Sequence, residues 1–125
     1  MQITSIEPQY NSYGQGALLT GADRLLFISG QVPESPDGEV PQDFEEQARL
    51  AWRNVANVLA QAEMTLRNLV KVTVFLADRA DREANARIRD EVLGGHCPAL
   101  TVIITGIYDE SWLLEIEAIA AAGPA

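Results

Sequence analysis

An α+β domain in the order ββαβαββ is what this sequence predicts, on three observations. Short runs rich in β-branched residues alternate at strand period, and two stretches repeat apolar residues at helical spacing. The runs also share one apolar face that two helices are enough to cover. A chain of 125 residues supports a single core, so one domain over 1–125 is expected.

The elements follow in order. A loose strand over 10–19 meets a turn at Gly21-Ala22-Asp23, and a second strand over 24–29 follows it, which predicts a hairpin. The stretch from Pro33 to Glu39 is dense in turn residues. Asp43 is placed as an N-cap, with Glu46 as its capping-box partner. Phe44, Ala48, Trp52, Val55, Leu59 and Ala62 then recur at helical spacing, so a helix runs to about Met64 with Trp52 in the core. A strand over 69–76 and a more polar helix over 81–93, stopped by Gly94-Gly95, come next. Strands over 100–107 and 112–121 complete the chain.

Alternation assigns Val70, Val72, Val74 and Leu76, with Leu100, Val102 and Ile104 and with Leu114, Ile116 and Ala118, to the helix-covered face. The other face carries Leu69, Lys71, Thr73, Phe75, Thr101, Ile103, Thr105, Ile107, Glu115, Glu117 and Ile119. It is too apolar for water and too polar for a closed core. Burial against further copies of the chain is therefore expected.

The last strand holds the chemically informative residues. Glu115 and Glu117 lie within an apolar run, where a carboxylate must be paired, hydrated or part of a site. A cross-strand pair with Lys71 is a sufficient explanation for Glu117. Glu115 is the candidate site residue.

Charge and composition exclude other classes. The formal net charge is −9, from 18 acidic and 9 basic residues, and the bases form no block. Nucleic-acid and anionic-membrane binding are disfavoured. The lone Cys97 points to a reducing compartment, and Met1 to Ser5 show no start of a secretory leader, so a cytoplasmic location is expected. Gly14-Gln15-Gly16 lacks the third glycine and following helix of a dinucleotide site. No His, Cys or acid spacing suggests a metal, and no cofactor is expected. His96 is read as a plain surface residue and Cys97 as an inert thiol.

Several segments together resemble the Rid family, also called the YjgF or liver perchloric-acid-soluble protein family. They are Tyr13-Gly14-Gln15-Gly16, the run from Leu26 to Pro33, Asp37-Gly38-Glu39, Gln47, Asn54, the run from Val70 to Leu76, Asn85, Pro98-Ala99 and the run from Glu115 to Ala120. The resemblance implies a chorismate-mutase-like sheet with two helices on one face, assembled as a homotrimer with small-molecule clefts between subunits. It also implies enamine or imine hydrolysis, releasing ammonia and a 2-keto acid. Glu115 matches the glutamate that positions water, Tyr13 the cleft tyrosine, and Ser29, Gly30 and Asn85 other cleft positions. The family arginine after Pro-Ala, which holds the substrate carboxylate, is replaced by Leu100. Losing such a contact costs about 2–5 kcal/mol where the anion is desolvated. Leu100, Val102 and Tyr13 would then line a cleft without that cation, and Arg24 or Arg79 could enter it from a neighbour. A hydrolase with an unusual substrate, a non-catalytic ligand-binding or protein-interaction trimer, and an endoribonuclease are the three readings. The acidic charge makes the last the weakest.

Overall fold

In the computed structural model, which describes residues 1–8 and 12–124, three strands precede the first helix. They are β1 (Gln2–Ile6), β2 (Gly16–Thr20) and β3 (Arg24–Gln31). Then come α1 (Phe44–Gln61), β4 (Leu69–Leu76), α2 (Arg82–Leu93), β5 (Ala99–Ile104) and β6 (Leu114–Ala122). The α+β class and its two helices are as expected. Strand β1 is an addition to the expected order, and β2 pairs antiparallel with it rather than with β3. The expected strand over 10–19 is thus shorter, and its positions 10 and 11 lie outside the described residues.

The expected hairpin does not form, because β3 is held elsewhere. The Asp23 amide donates to Ala122 O at 3.0 Å, and Arg24 donates to Gly123 O and Ala62 O at 3.0 Å each. These bonds seat the start of β3 against the end of β6 and the end of α1. Gly21, with φ +68°, turns the chain between β2 and β3.

The main sheet runs β3-β6-β4-β5, with β4 and β5 parallel and the other pairs antiparallel. Helix α1 begins at Asp43, whose Oδ2 accepts the Glu46 amide at 3.3 Å, the first half of the expected capping box. Its buried side, including Ala48, Trp52, Val55 and Leu59, packs on β3 and β6. Gly94, left-handed at φ 54°, stops α2.

One apolar cluster joins both helices to Val72, Val74, Leu76, Leu114, Ile116 and Ala120. Two residues exchange faces relative to strict alternation. The β4–β6 register shifts between Leu69 and Lys71, so Leu69 is buried in the core while Val70 is only half-buried. Val102 and Ile104 lie on the expected face but at its edge, and they remain exposed. On the opposite face Leu25 and Phe27 stand open, Phe27 at 70% exposure, beside Ile103, Thr73 and Ile119. No helix among the described residues is long and apolar enough to cross a membrane.

Candidate functional site

The sequence-singled residues fall into two groups on opposite faces of one sheet. The first group surrounds Glu115 on the open face. Strand β3 pairs Ile28 with Ala118 and Gln31 with Ile116, so Ser29 and Gly30 together oppose the single residue Glu117. That bulge brings Gly30 over the neighbouring carboxylate. A Cβ on Gly30 would stand 1.9 Å from Glu115 Oε2, so only glycine leaves room for the side chain where it lies. Glu115 is half-buried and has no ion pair or hydrogen-bond partner among the described residues. A carboxylate held this way can orient water or a ligand.

Glu117 departs from its expected pairing. It lies opposite Thr73 rather than Lys71, and it is exposed. The Lys71 ammonium donates instead to Thr101 Oγ1 at 2.6 Å. Register decided this: Lys71 faces Ile119 across one edge of β4 and Ala99 across the other. A shallow hollow of about 260 Å³, lined by Phe27, Ser29, Lys71, Thr73 and Glu117, marks the same face.

The second group walls a larger cleft, about 640 Å³, between α2 and the edge of β5. Tyr13, Asn85 and Val102 line it. Leu100 does not; it is half-buried and packs against the core cluster. Tyr13 is placed by the segment before β2, whose Gly14 amide donates to Pro98 O at 3.0 Å. Asn85 is 2% exposed, and its Oδ1 has no hydrogen-bond partner among the described residues.

Arg82 and Arg89 are what sequence reasoning missed here, whereas Arg79 was named but as an arginine from a neighbour. Arg79, Arg82 and Arg89 all line the cleft, against one acid, Glu83. Arg89 is 6% exposed, its guanidinium lies 5.8 Å from the Tyr13 ring centroid, and its Nε donates to Ser12 Oγ at 3.0 Å. The buried Ser12 hydroxyl in turn donates to the Asp90 carboxylate. Burial draws the Arg89 guanidinium below its ordinary pKa, against the opposing pull of Asp90 and Tyr13. The spacing of Arg82, Asn85 and Arg89 at i, i+3 and i+7 could have revealed this stripe. Arg24, by contrast, is a structural tie between β3, β6 and α1.

Other residues resolve as structural. His96 is not a plain surface residue: its Nε2 donates to Leu69 O at 2.7 Å. The Cys97 thiol is half-buried and directed to Gly95 O. Gln47 ties α1 to the approach to β6, donating to Pro41 O and Ser111 O and accepting from the Leu113 amide. Asn54 donates to Val32 O and Glu34 O and pins the loop after β3.

Alternation places the two groups apart. Val102 lies across from buried Val74, whereas Glu115 lies across from Phe75 on the open face. The backbone of the sheet separates them, so no ligand touches both within one chain.

Comparison with known proteins adds the context. The family model for endoribonuclease L-PSP matches residues 4–122. The 2-iminobutanoate/2-iminopropanoate deaminase of Rattus norvegicus is 33% identical over 115 residues, covering 90% of this chain and 82% of the rat protein. Mitochondrial protein mmf2 of Schizosaccharomyces pombe is 38% identical over 100 residues, covering 78% and 79%. Among solved structures, Escherichia coli TdcF with bound serine superposes with a TM-score of 0.75 at 30% identity, over 93% of this chain and 92% of that one. The Rid-family protein YyfB of Yersinia pestis reaches 0.82 at 23% identity, over 97% and 98%, which speaks to the fold.

Proposed function

The chain belongs to the endoribonuclease L-PSP family, the Rid family, and from that premise we propose that it hydrolyses small reactive imines or enamines in clefts between the subunits of a homotrimer. The observation that carries this reading is the Glu115 carboxylate, seated over Gly30 and free of any cation among the described residues. A structural glutamate at a half-buried strand position, unlike exposed Glu117, would be paired. This one is available to chemistry.

The trimer reading is supported by the two half-sites. A head-to-tail contact that brings the α2 cleft of one subunit against the open face of the next would join Tyr13, Asn85 and Val102 to the neighbouring Ser29, Gly30 and Glu115. Repeated contacts of this unlike-surface kind close into rings. Phe27 and Leu25, exposed on that face, would be covered by the same contact.

In the reaction, water adds to the carbon of the C=N bond, the nitrogen leaves as ammonia, and a carbonyl remains. An enamine reaches the same point after protonation at carbon. We assign Glu115 the task of holding the attacking water and taking up its proton, a role worth about 10²–10⁴-fold in rate. Val102 and Ile104 would pack the apolar part of the substrate. The lone cysteine suits a reducing compartment such as the cytoplasm. Keto-acid and ammonia release from freshly generated imines tests the proposal. Turnover that falls by about 100-fold or more in Glu115→Ala supports it. Equal turnover in the variant overturns the role given to Glu115, and none in the wild type leaves the non-catalytic binding reading, which the Leu100 substitution favours.

A further inference from the structure

We propose that the α2 cleft is a carboxylate site anchored by the Arg89 guanidinium, with Asn85 receiving a donor on the neighbouring carbon of the ligand. The anchor would thus stand on a helix rather than at the strand position that Leu100 occupies. It rests on reading this cleft as the ligand site, but not on the cleft catalysing hydrolysis.

Arg89 is built as an anchor. At 6% exposure it forms no ion pair among the described residues, whereas exposed Arg49 and Arg87 both pair with Glu91, and Arg87 also with Glu45. Its one hydrogen bond among those residues ties Nε to Ser12, and Asp90 fixes the Ser12 hydroxyl so that its oxygen accepts. The Tyr13 ring lies beside the guanidinium, 5.8 Å from it at the centroid. Arg89 lines the cleft, and its two Nη groups, the edge that grips a carboxylate, have no hydrogen-bond partner among the described residues. A buried cation that meets its nearest carboxylate, Asp90, only through Ser12 is costly, and a bound anion offsets that cost.

Asn85 supplies the second observation. It precedes Arg89 by one helical turn, lines the same cleft, and holds a buried acceptor with no donor among the described residues. Side chains four apart on a helix are about 5–6 Å apart at Cβ, which suits the two ends of a small 2-substituted acid. The surroundings agree in sign: a chain of net charge −9 gathers three arginines and one glutamate around this cleft. Val102 and Ile104 offer an apolar wall to a short side chain. The ligand class is therefore a small carboxylate bearing an N–H or O–H donor at the 2-position.

Titration calorimetry on the assembled protein with 2-hydroxybutanoate, its amide and butanoate separates the terms. The hydroxy acid is expected to bind about 10-fold or more tightly than the amide, and severalfold more tightly than butanoate. Arg89→Met should erase the preference for acid over amide. If Arg89→Met does not assemble, Arg89→Lys carries the test, since lysine keeps charge but not the fork, and a severalfold weakening is expected. A folded Arg89 variant with undiminished preference overturns the proposal, as does a wild type that does not distinguish acid from amide. None of these probes is an imine, so the outcome is independent of turnover. Binding through Arg89 without keto-acid release keeps the anchor and removes the hydrolase. Turnover indifferent to Arg89 does the reverse.

Discussion

The cleft beside α2 and the open face of the sheet hold their polar residues in opposite ways. In the cleft, Asp90, Ser12, Arg89 and Tyr13 form a chain of contacts that one subunit completes by itself. On the open face, Glu115 rests against a glycine with no polar partner among the described residues, and exposed Phe27 and Leu25 lie further along the same face. A region furnished from within binds in isolation, whereas a region of unpaired acid and bare aromatic awaits a cover. The difference points to where, under the proposed assembly, a neighbouring subunit rather than folding would finish the site.

The largest expected effect breaks that cover. Ile103→Lys places a charge in the open face and should disperse the oligomer, at roughly 3–5 kcal/mol per unpaired charge, while the subunit keeps its circular dichroism. Leu114→Ala, on the closed face, should instead lower stability by about 2–5 kcal/mol in a denaturant titration, whatever the state of assembly. If light scattering finds the lysine variant still assembled, the open face is not the interface.

Gly30→Ala sharpens the comparison next. The new methyl meets only the end of the Glu115 side chain, which can swing away, so stability should hold. Turnover should fall by about 100-fold, equivalent to about 2.7 kcal/mol in the barrier, as the carboxylate leaves its seat. A large drop in melting temperature would mark Gly30 as a folding residue instead.

The smallest effect concerns pH. Burial first, then Asp78 and Asp43, raise the Asp81 carboxyl above its ordinary value at the start of α2. A raised acid binds its proton more readily in the folded state. Its charge therefore weakens the fold near neutrality, and the penalty disappears as pH falls through the folded pKa. Asp81→Asn should melt slightly higher than wild type at neutral pH, with the gap closing below about pH 4. A gap that widens in acid would reverse the sign.

Much of this was legible, and the illegible parts have physical causes. The strands over Leu69–Leu76 and Leu114–Ala122 were plain, because buried apolar residues repeat at period two. Glu115 stood out for the same reason. Strand β1 was not plain: Gln2–Ile6 is five residues long, half of it polar, and it gains its identity from pairing with β2. The Leu69/Val70 exchange depends on a bulge, and the lost Lys71–Glu117 pair depends on register, neither of which is local. Arg89 reads as one more surface base until the fold lays Ser12 and Tyr13 over it.

The most direct test of a site completed between subunits is complementation. Glu115→Gln removes the open-face half, and Ala86→Trp fills the cleft of the other half, since Ala86 lines it. Each variant alone should be inactive in imine hydrolysis. Random co-assembly at equal ratio should leave about one quarter of the sites with both intact halves, and a matching fraction of wild-type turnover should return. Turnover that stays at the level of the two inactive parents would mean that each chain carries its site alone.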